Sequence, residues 1–197
     1  AATQCFRSEA GAAGKDTMNV AQIIKSTFKG GADSDLVSAS GVVSVAGLYG
    51  NSGNDTMVLN GVATSASTYG GAGNDSFTFG AAVSNGYFEG GLDADTLKIT
   101  GAVTKSTIYG DNSAATVGGK DSISLASSAS GSYIYANLGD DSISIAGGVI
   151  ASTVLGGQGK DSIWIANGAS TAALIDGGLG NDFLSLAGLS GTSSLLG

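Results

Sequence analysis

The chain has 197 residues, including 34 Gly but no Pro and no His, and its formal net charge is -8. This charge argues against nucleic acid as a partner, because nucleic-acid binding requires a basic surface. No apolar run approaches the roughly eighteen residues of a membrane span, so no membrane insertion is expected. Cys5 is the single cysteine, and disulfide bonds therefore do not hold the fold.

The N-terminal residues 1–15 are interpreted as an irregular lead-in or a partial coil. The segment Cys5–Arg7 is typical of the end of one coil, and Gly11–Asp16 is typical of the turn that follows. Neither a signal peptide nor an initiator Met is visible at Ala1. This is expected of a processed product or of a segment of a longer protein.

Aspartates recur at a nearly constant spacing from this point to the end of the chain. Successive members are separated by 19, 20, 20, 20, 26, 20, 20 and 21 residues. A period of this length indicates a solenoid or another repeat array. The nine aspartates are Asp16, Asp35, Asp55, Asp75, Asp95, Asp121, Asp141, Asp161 and Asp182.

Each repeat predicts two strands. Apolar residues stand two and four positions after each aspartate, as Phe77 and Phe79 do after Asp75, and this alternation indicates a strand with one buried face. A second strand precedes the next glycine-rich turn, and a looser turn rich in Gly, Ala and Ser joins the two. The expected inward residues of the second strand are Phe28, Leu48, Thr68, Phe88, Ile108, Ile134, Val154, Leu174 and Leu195.

The expected fold is all-β: a single-domain parallel β-solenoid, as a β-roll or β-helix, of about nine coils of about 20 residues. The solenoid spans 16–197. An insertion at 110–119 interrupts one glycine-rich turn, and its additional residues predict a surface loop. The ion sites on either side of this insertion are expected to be the least regular.

The glycine-rich turns carry the motif G-G-x-G-x-D-x-U-x, where U is apolar. The motif is complete at Gly70–Asp75 and at Gly177–Asp182. In this respect the chain resembles the RTX (repeats-in-toxin) family of calcium-binding β-rolls over nearly its whole length. With about twenty residues and one motif per coil, it is more similar to the calcium-bound extender repeats of bacterial ice-binding adhesins.

This resemblance implies that Ca²⁺ is the cofactor and that the turns hold it. Calcium takes six to eight oxygen ligands, and aligned carboxylates repel one another unless a cation lies between them. The alternative is a row of metal-free Asx-type turns. Besides the nine recurring aspartates, the candidate metal-binding residues are Asp33, Asp93, Asp140, Gly53, Gly71, Gly73, Gly91, Gly139, Gly157, Gly159, Gly178 and Gly180.

Substitutions within the turns predict differences between the sites. Lysine stands directly before the aspartate in three turns, at Lys15, Lys120 and Lys160, where it could pair with a carboxylate and partly replace an ion. In the insertion, Asp111 is expected to be a loop residue. Replacing it should therefore matter less than replacing Asp75.

The outward faces offer two further candidate surfaces. One is a row of Ser and Thr residues after each aspartate. Lys98 and Trp164 interrupt this row, and the interruption argues against ice binding. The other is an apolar stripe that either stacks along the solenoid or binds a partner. Its candidate partner-binding residues are Tyr49, Tyr69, Tyr109, Tyr135, Leu155 and Ile175.

The sequence therefore predicts a secreted, extracellular or cell-surface structural protein. We expect a calcium-stabilised β-solenoid that self-assembles by end-to-end coil stacking into a filament, surface layer or adhesin shaft, with a possible cell-surface or matrix partner. The alternative is a binding module for ice or polysaccharide on an outer face. An enzyme is not expected, since the sequence has no His and no reactive-Cys context.

Overall fold

A computed structural model of the chain describes residues 13–112, 116–168 and 170–197. These residues form 27 strands in three nine-stranded parallel sheets and contain no helix. Each coil contributes one strand to each sheet, so the expected all-β parallel solenoid of about nine coils is confirmed. The interpretation of residues 1–12, including Cys5, lies outside the described part of the chain.

Sheet one contains the four-residue strands that follow the recurring aspartates. Their alternating apolar side chains point into the solenoid and the intervening side chains point out. The strands are β1 Thr17–Val20, β4 Leu36–Ala39, β7 Thr56–Leu59, β10 Ser76–Phe79, β13 Thr96–Ile99, β16 Ser122–Leu125, β19 Ser142–Ile145, β22 Ser162–Ile165 and β25 Phe183–Leu186.

Sheet two was not predicted. A strand of only two residues lies in each of the loose turns, so every coil has three strands rather than two. A two-residue strand is too short for alternation to reveal it. These strands are β2 Ile23–Ile24, β5 Val43–Ser44, β8 Ala63–Thr64, β11 Val83–Ser84, β14 Val103–Thr104, β17 Ala129–Ser130, β20 Val149–Ile150, β23 Ser170–Thr171 and β26 Leu189–Ser190.

Sheet three contains the strands that lead into the glycine-rich turns. Several continue into the turn itself, where glycine keeps the stacked backbones close together. The strands are β3 Thr27–Gly31, β6 Gly47–Ser52, β9 Ser67–Ala72, β12 Tyr87–Leu92, β15 Thr107–Asp111, β18 Tyr133–Leu138, β21 Thr153–Gly159, β24 Leu174–Gly180 and β27 Ser194–Leu196.

The stacked coils place equivalent positions above one another and bury a continuous apolar core. Phe77 pairs with Leu97, and Leu48 pairs with Thr68 in the third sheet. The predicted inward column of sheet three is correct as far as Val154. Its next member is not Leu174, because Val154 pairs with Ile175.

The sequence had indicated that Ile175 is an exposed partner-binding residue. This prediction is wrong, because Ile175 is a core residue. Its side chain is fully buried. The error arises from one additional residue between β22 and β23, where four residues replace the three that join β19 to β20. In strands a shift of one residue exchanges the inward and outward faces. Asp176, which pairs with Leu155, takes the outward position.

A left-handed corner connects sheet two to sheet three in every coil. The residue at this corner has a positive φ in all nine coils, between 45° and 64°. Only two of the nine are glycine. The corner residues are Lys25, Val45, Ser65, Asn85, Lys105, Gly131, Ala151, Ala172 and Gly191.

Replacing Val45 by Asn should stabilise the protein by about 1 kcal/mol, since the left-handed region is costly for a β-branched residue and tolerated by Asn. Val45 has a φ of 50° and is 56% exposed, so little packing is lost. The control is Val42→Asn, a change at an exposed valine whose φ is not positive. Urea unfolding of both variants measures the difference, and equal effects would contradict the prediction.

Replacing Thr68 by Val should also stabilise the protein, by about 1 kcal/mol, because it removes a buried hydroxyl without changing the side-chain shape. Thr68 is fully buried between Leu48 and Phe88, and its Oγ1 has no hydrogen-bond partner among the described residues. The outward-facing Thr64 provides the control as Thr64→Val. A loss of stability in Thr68→Val, measured by urea unfolding, would show that the hydroxyl has a partner.

Candidate metal centre

The recurring aspartates form a continuous row at the junction of sheets three and one, and the row is buried from Asp35 to Asp161. Each backbone N–H donates to Oδ1 of the aspartate in the next coil, from Asp16 N–H to Asp35 and onward to Asp182, at 2.7–2.9 Å. The row continues through the insertion, because Asp95 N–H donates to Asp121 Oδ1 at 2.8 Å. The expected irregularity of this stretch is therefore not found in the aspartate row.

The second carboxylate oxygen is left without a partner. Oδ2 of Asp75 is buried, and no described protein atom hydrogen bonds to it. An unpaired carboxylate oxygen in a dry interior is unfavourable unless a cation or a proton neutralises it. The same holds for Oδ2 of Asp35, Asp55, Asp95, Asp121, Asp141, Asp161 and Asp182.

Glycine makes room for this oxygen five residues before the aspartate. A Cβ on Gly70 would lie 2.1 Å from Asp75 Oδ2 and 2.3 Å from the carbonyl oxygen of Gly90 in the next coil. The carboxylate oxygen and the carbonyl oxygen thus converge on the same small volume. The corresponding glycines are Gly30, Gly50, Gly90, Gly156 and Gly177, each five residues before its aspartate, and Gly110, which precedes Asp121 by eleven residues because of the insertion.

Burial raises the pKa values of the central aspartates. The pKa of Asp75 rises from 3.8 to about 7, chiefly through desolvation, with repulsion from Asp55 and Asp93 adding to it. The pKa of Asp95 rises to about 9 and that of Asp141 to about 8, again chiefly through desolvation. The row therefore favours a bound positive charge, either a proton or a metal ion.

The turn glycines align backbone carbonyls beside this row. A Cβ on Gly71 would lie 2.1 Å from the Asn51 carbonyl oxygen, and one on Gly73 would lie 2.4 Å from the Gly53 carbonyl oxygen. All nine predicted turn glycines have a positive φ, as the motif requires. Each stacked pair of turns thus offers main-chain oxygens together with one carboxylate.

This donor set suits a hard cation. Carboxylate and carbonyl oxygens are the ligands of Ca²⁺, and soft donors are absent from the described turns. Among residues 13–112, 116–168 and 170–197, no three His, Cys, Asp or Glu side chains come together as a ligand group. An ion held here would therefore take most of its ligands from the backbone, and the residues present fit such an ion.

The three additional aspartates lie outside the buried row. Asp33 and Asp93 occupy the turn position that is usually glycine, with φ of 72° and 71°, and both are exposed. Asp140 is also exposed and pairs with Lys120, whose Nζ lies 3.0 Å from Asp140 Oδ2. These side chains contribute charge near the row but do not extend it.

Asp111 is not the exposed loop residue that the sequence indicated. Its side chain is fully buried, Oδ1 accepts a hydrogen bond from Gly119 N–H at 3.1 Å, and Oδ2 accepts one from Leu138 N–H at 3.0 Å. Asn137 adds a hydrogen bond from Nδ2 to the Asn112 carbonyl oxygen at 2.9 Å. Asp111 therefore anchors the insertion to the next coil, a role that spacing alone could not reveal.

No protein-family model matches the chain, and comparisons with curated proteins and with solved structures find no match. The structure itself shows a parallel β-solenoid with a stacked aspartate row, which is consistent with a β-roll. None of the described residues lies in a helix that is long and apolar enough to cross a membrane.

The predicted partner-binding stripe lies on the outer face of sheet three. Tyr49, Tyr69, Tyr109, Tyr135 and Leu155 are half-buried there, since neighbouring side chains cover one another. The prediction missed Tyr87 and Tyr133. They stand on the same face, two residues before Glu89 and Tyr135. The period of two along each strand was the signal that could have found them.

Proposed function

We propose that this chain is an extracellular structural protein whose solenoid is stabilised by Ca²⁺ bound along the aspartate row. The observation that supports this proposal most directly is the series of buried, unpartnered Oδ2 atoms, one in each coil from Asp35 to Asp182. In-register parallel sheets that continue through all nine coils suit a shaft or a layer-forming unit. The proposal assigns the chain no enzymatic role.

The ligand chemistry also supports an extracellular location. Each coil offers one buried carboxylate and otherwise neutral carbonyl oxygens. Sites with few charged ligands bind calcium weakly, and extracellular modules have dissociation constants of about 10⁻⁴–10⁻³ M. A site of this kind fills where calcium is abundant.

Thermal unfolding followed by circular dichroism tests the proposal. Excess Ca²⁺ should raise the melting temperature well above the value in chelator, because the ions bind only the folded chain. Mg²⁺ should be less effective, since it demands octahedral geometry and retains its waters. Identical melting curves in calcium and in chelator would overturn the proposal.

The assembly mode that we propose is end-to-end stacking of coils. In the last coil Leu195 is 44% exposed although it occupies the inward column, and Leu184 is only partly buried. At the other end of the described solenoid, Met18 and Val20 are likewise only partly buried. A coil of a second copy would cover these side chains.

Electron microscopy and light scattering in saturating calcium test this assembly. Filaments are expected in calcium, and dispersed monomers are expected in chelator. Strictly monomeric particles at high protein concentration in calcium would overturn end-to-end stacking.

A polysaccharide-binding role is the second candidate. It is favoured by Trp164 and Phe183, which are 53% and 63% exposed on the outer face of sheet one. Their register partners are Ser185 and Ser162, so aromatic rings and hydroxyls lie side by side. Glycan pull-down with Trp164→Ala tests this role, and unchanged retention in the variant would exclude the aromatic surface as the binding site.

A further inference from the structure

All six tyrosines of the chain lie on one surface, the outer face of sheet three. They form a continuous series in which each ring contacts the next, with centroid separations of 4.8–6.3 Å. We name this series the tyrosine row. Its members are Tyr49, Tyr69, Tyr87, Tyr109, Tyr133 and Tyr135.

One pair of rings is nearly parallel. The ring centroids of Tyr49 and Tyr69 are 4.8 Å apart, with an interplanar angle of 3°. The pair is stacked because the two residues are register partners in adjacent parallel strands, so both side chains leave the sheet in the same direction. The ring carbons next to the two phenol groups are therefore close to one another.

A proton acceptor lies in the middle of the tyrosine row. Tyr87 Oη donates a hydrogen bond to Glu89 Oε2 at 2.5 Å. A phenol that loses an electron becomes a strong acid and must release its proton, and a hydrogen-bonded carboxylate can take it at once. At the end of the row formed by Tyr49, Lys29 Nζ lies 5.9 Å from the ring centroid of that tyrosine.

We propose that the tyrosine row is a site of one-electron oxidation and intrachain cross-linking, where radicals formed along the row join Tyr49 to Tyr69. The co-reactant is a one-electron oxidant, such as a peroxide-driven peroxidase or a photo-oxidised metal complex. This proposal does not depend on calcium binding or on the structural role proposed above.

The chemistry balances with two oxidations. Each tyrosine gives one electron to the oxidant and one proton to a base, which is Glu89 for Tyr87 and water for the others. Two phenoxyl radicals then form one carbon–carbon bond between the ring positions next to oxygen. The hydrogens on those two carbons move to the oxygens and restore both phenols, so the product lacks two hydrogen atoms. The bond would connect two successive coils covalently.

Photochemical oxidation of the full chain tests the proposal. Dilute folded protein is illuminated with tris(bipyridine)ruthenium(II) and persulfate, where persulfate is the terminal electron acceptor. Cleavage before aspartate places Tyr49 and Tyr69 in separate peptides, 35–54 and 55–74. We expect dityrosine fluorescence in monomeric protein and a cross-linked pair of these two peptides that lacks two hydrogens.

Three variants separate the row from general tyrosine oxidation. Tyr69→Phe should keep the fold and abolish the cross-link between the two peptides. Trp164→Phe, on a different sheet, should leave it unchanged. Glu89→Gln removes the proton acceptor of Tyr87 at similar size, so it should lower the initial rate of Tyr87 oxidation several-fold and leave the cross-link between the two peptides in place.

Two results would overturn the proposal. One is the absence of the 35–54 to 55–74 product in folded monomer. The other is an equal yield of that product from chain unfolded in guanidinium, which would show that stacking contributes nothing. An unchanged rate of Tyr87 oxidation in Glu89→Gln would show that Glu89 does not accept the proton of Tyr87.

Discussion

Replacing Asp75 by Asn is expected to change stability in opposite directions with and without calcium. In saturating calcium the variant should lose about 2 kcal/mol, because it forgoes the roughly 3 kcal/mol that a ligand provides at about 100 times its dissociation constant and regains about 1 kcal/mol from the removed charge. In chelator it should gain about 1 kcal/mol, because a buried charge without a partner is removed. Asparagine retains the oxygen that accepts the Asp55 N–H hydrogen bond.

The raised pKa of Asp75 fixes the sign of the effect in chelator. Desolvation raises this pKa from 3.8 to about 7, so the folded chain prefers the protonated acid. As pH rises from about 4 through 7, the ionised carboxylate therefore destabilises the metal-free fold. An amide never ionises and avoids this penalty.

Urea unfolding at pH 8, in calcium and in chelator, measures both effects. The matched control is Asp33→Asn, which makes the same chemical change at an exposed turn position with a φ that asparagine tolerates. It should change stability by no more than about 0.5 kcal/mol in either condition. The same sign of change for Asp75→Asn in both conditions would contradict calcium binding at the row.

Replacing Gly70 by Ala should destabilise the protein by about 3 kcal/mol, the upper part of the usual range for overpacking a rigid interior. The new methyl group would lie 2.1 Å from Asp75 Oδ2 and 2.3 Å from the Gly90 carbonyl oxygen. One of these oxygens must move, and both belong to the proposed ion site. Calcium affinity should fall together with stability.

Gly188→Ala is the control, since a Cβ there would meet no atom within 4 Å. Its stability, measured by the same urea unfolding, should change by no more than about 0.5 kcal/mol. Ala136 stands five residues before Asp141, at the position equivalent to Gly70, so the native chain already has one methyl group at this position. If Gly70→Ala were as mild as Gly188→Ala, the carboxylate would be free to move aside, and its close packing would not stabilise the fold.

The sequence alone determined the repeat, the fold class and the aspartates that share one row. These features follow from a period near twenty residues and from apolar alternation on both sides of each glycine-rich turn. A pattern that repeats in every coil places its residues at the same position of every coil, so it can be found from the sequence. The left-handed corners and the two-residue strands were not predicted. Val45 and Lys25 carry no local signal for a positive φ, and their N–H groups donate to carbonyl oxygens of the next coil, those of Thr64 and Ser44.

Only the tertiary structure decided where single side chains lie. One additional residue before β23 moved Ile175 from the outer face into the core, and no spacing rule locates such a residue within a loop. Burial of Asp111 depends on hydrogen bonds from Gly119, at the other end of the insertion, and from Leu138 in the next coil. The unpaired Oδ2 of Asp75 likewise arises from packing, because one oxygen meets a backbone N–H and the other meets only glycine and carbonyl groups of the same interior.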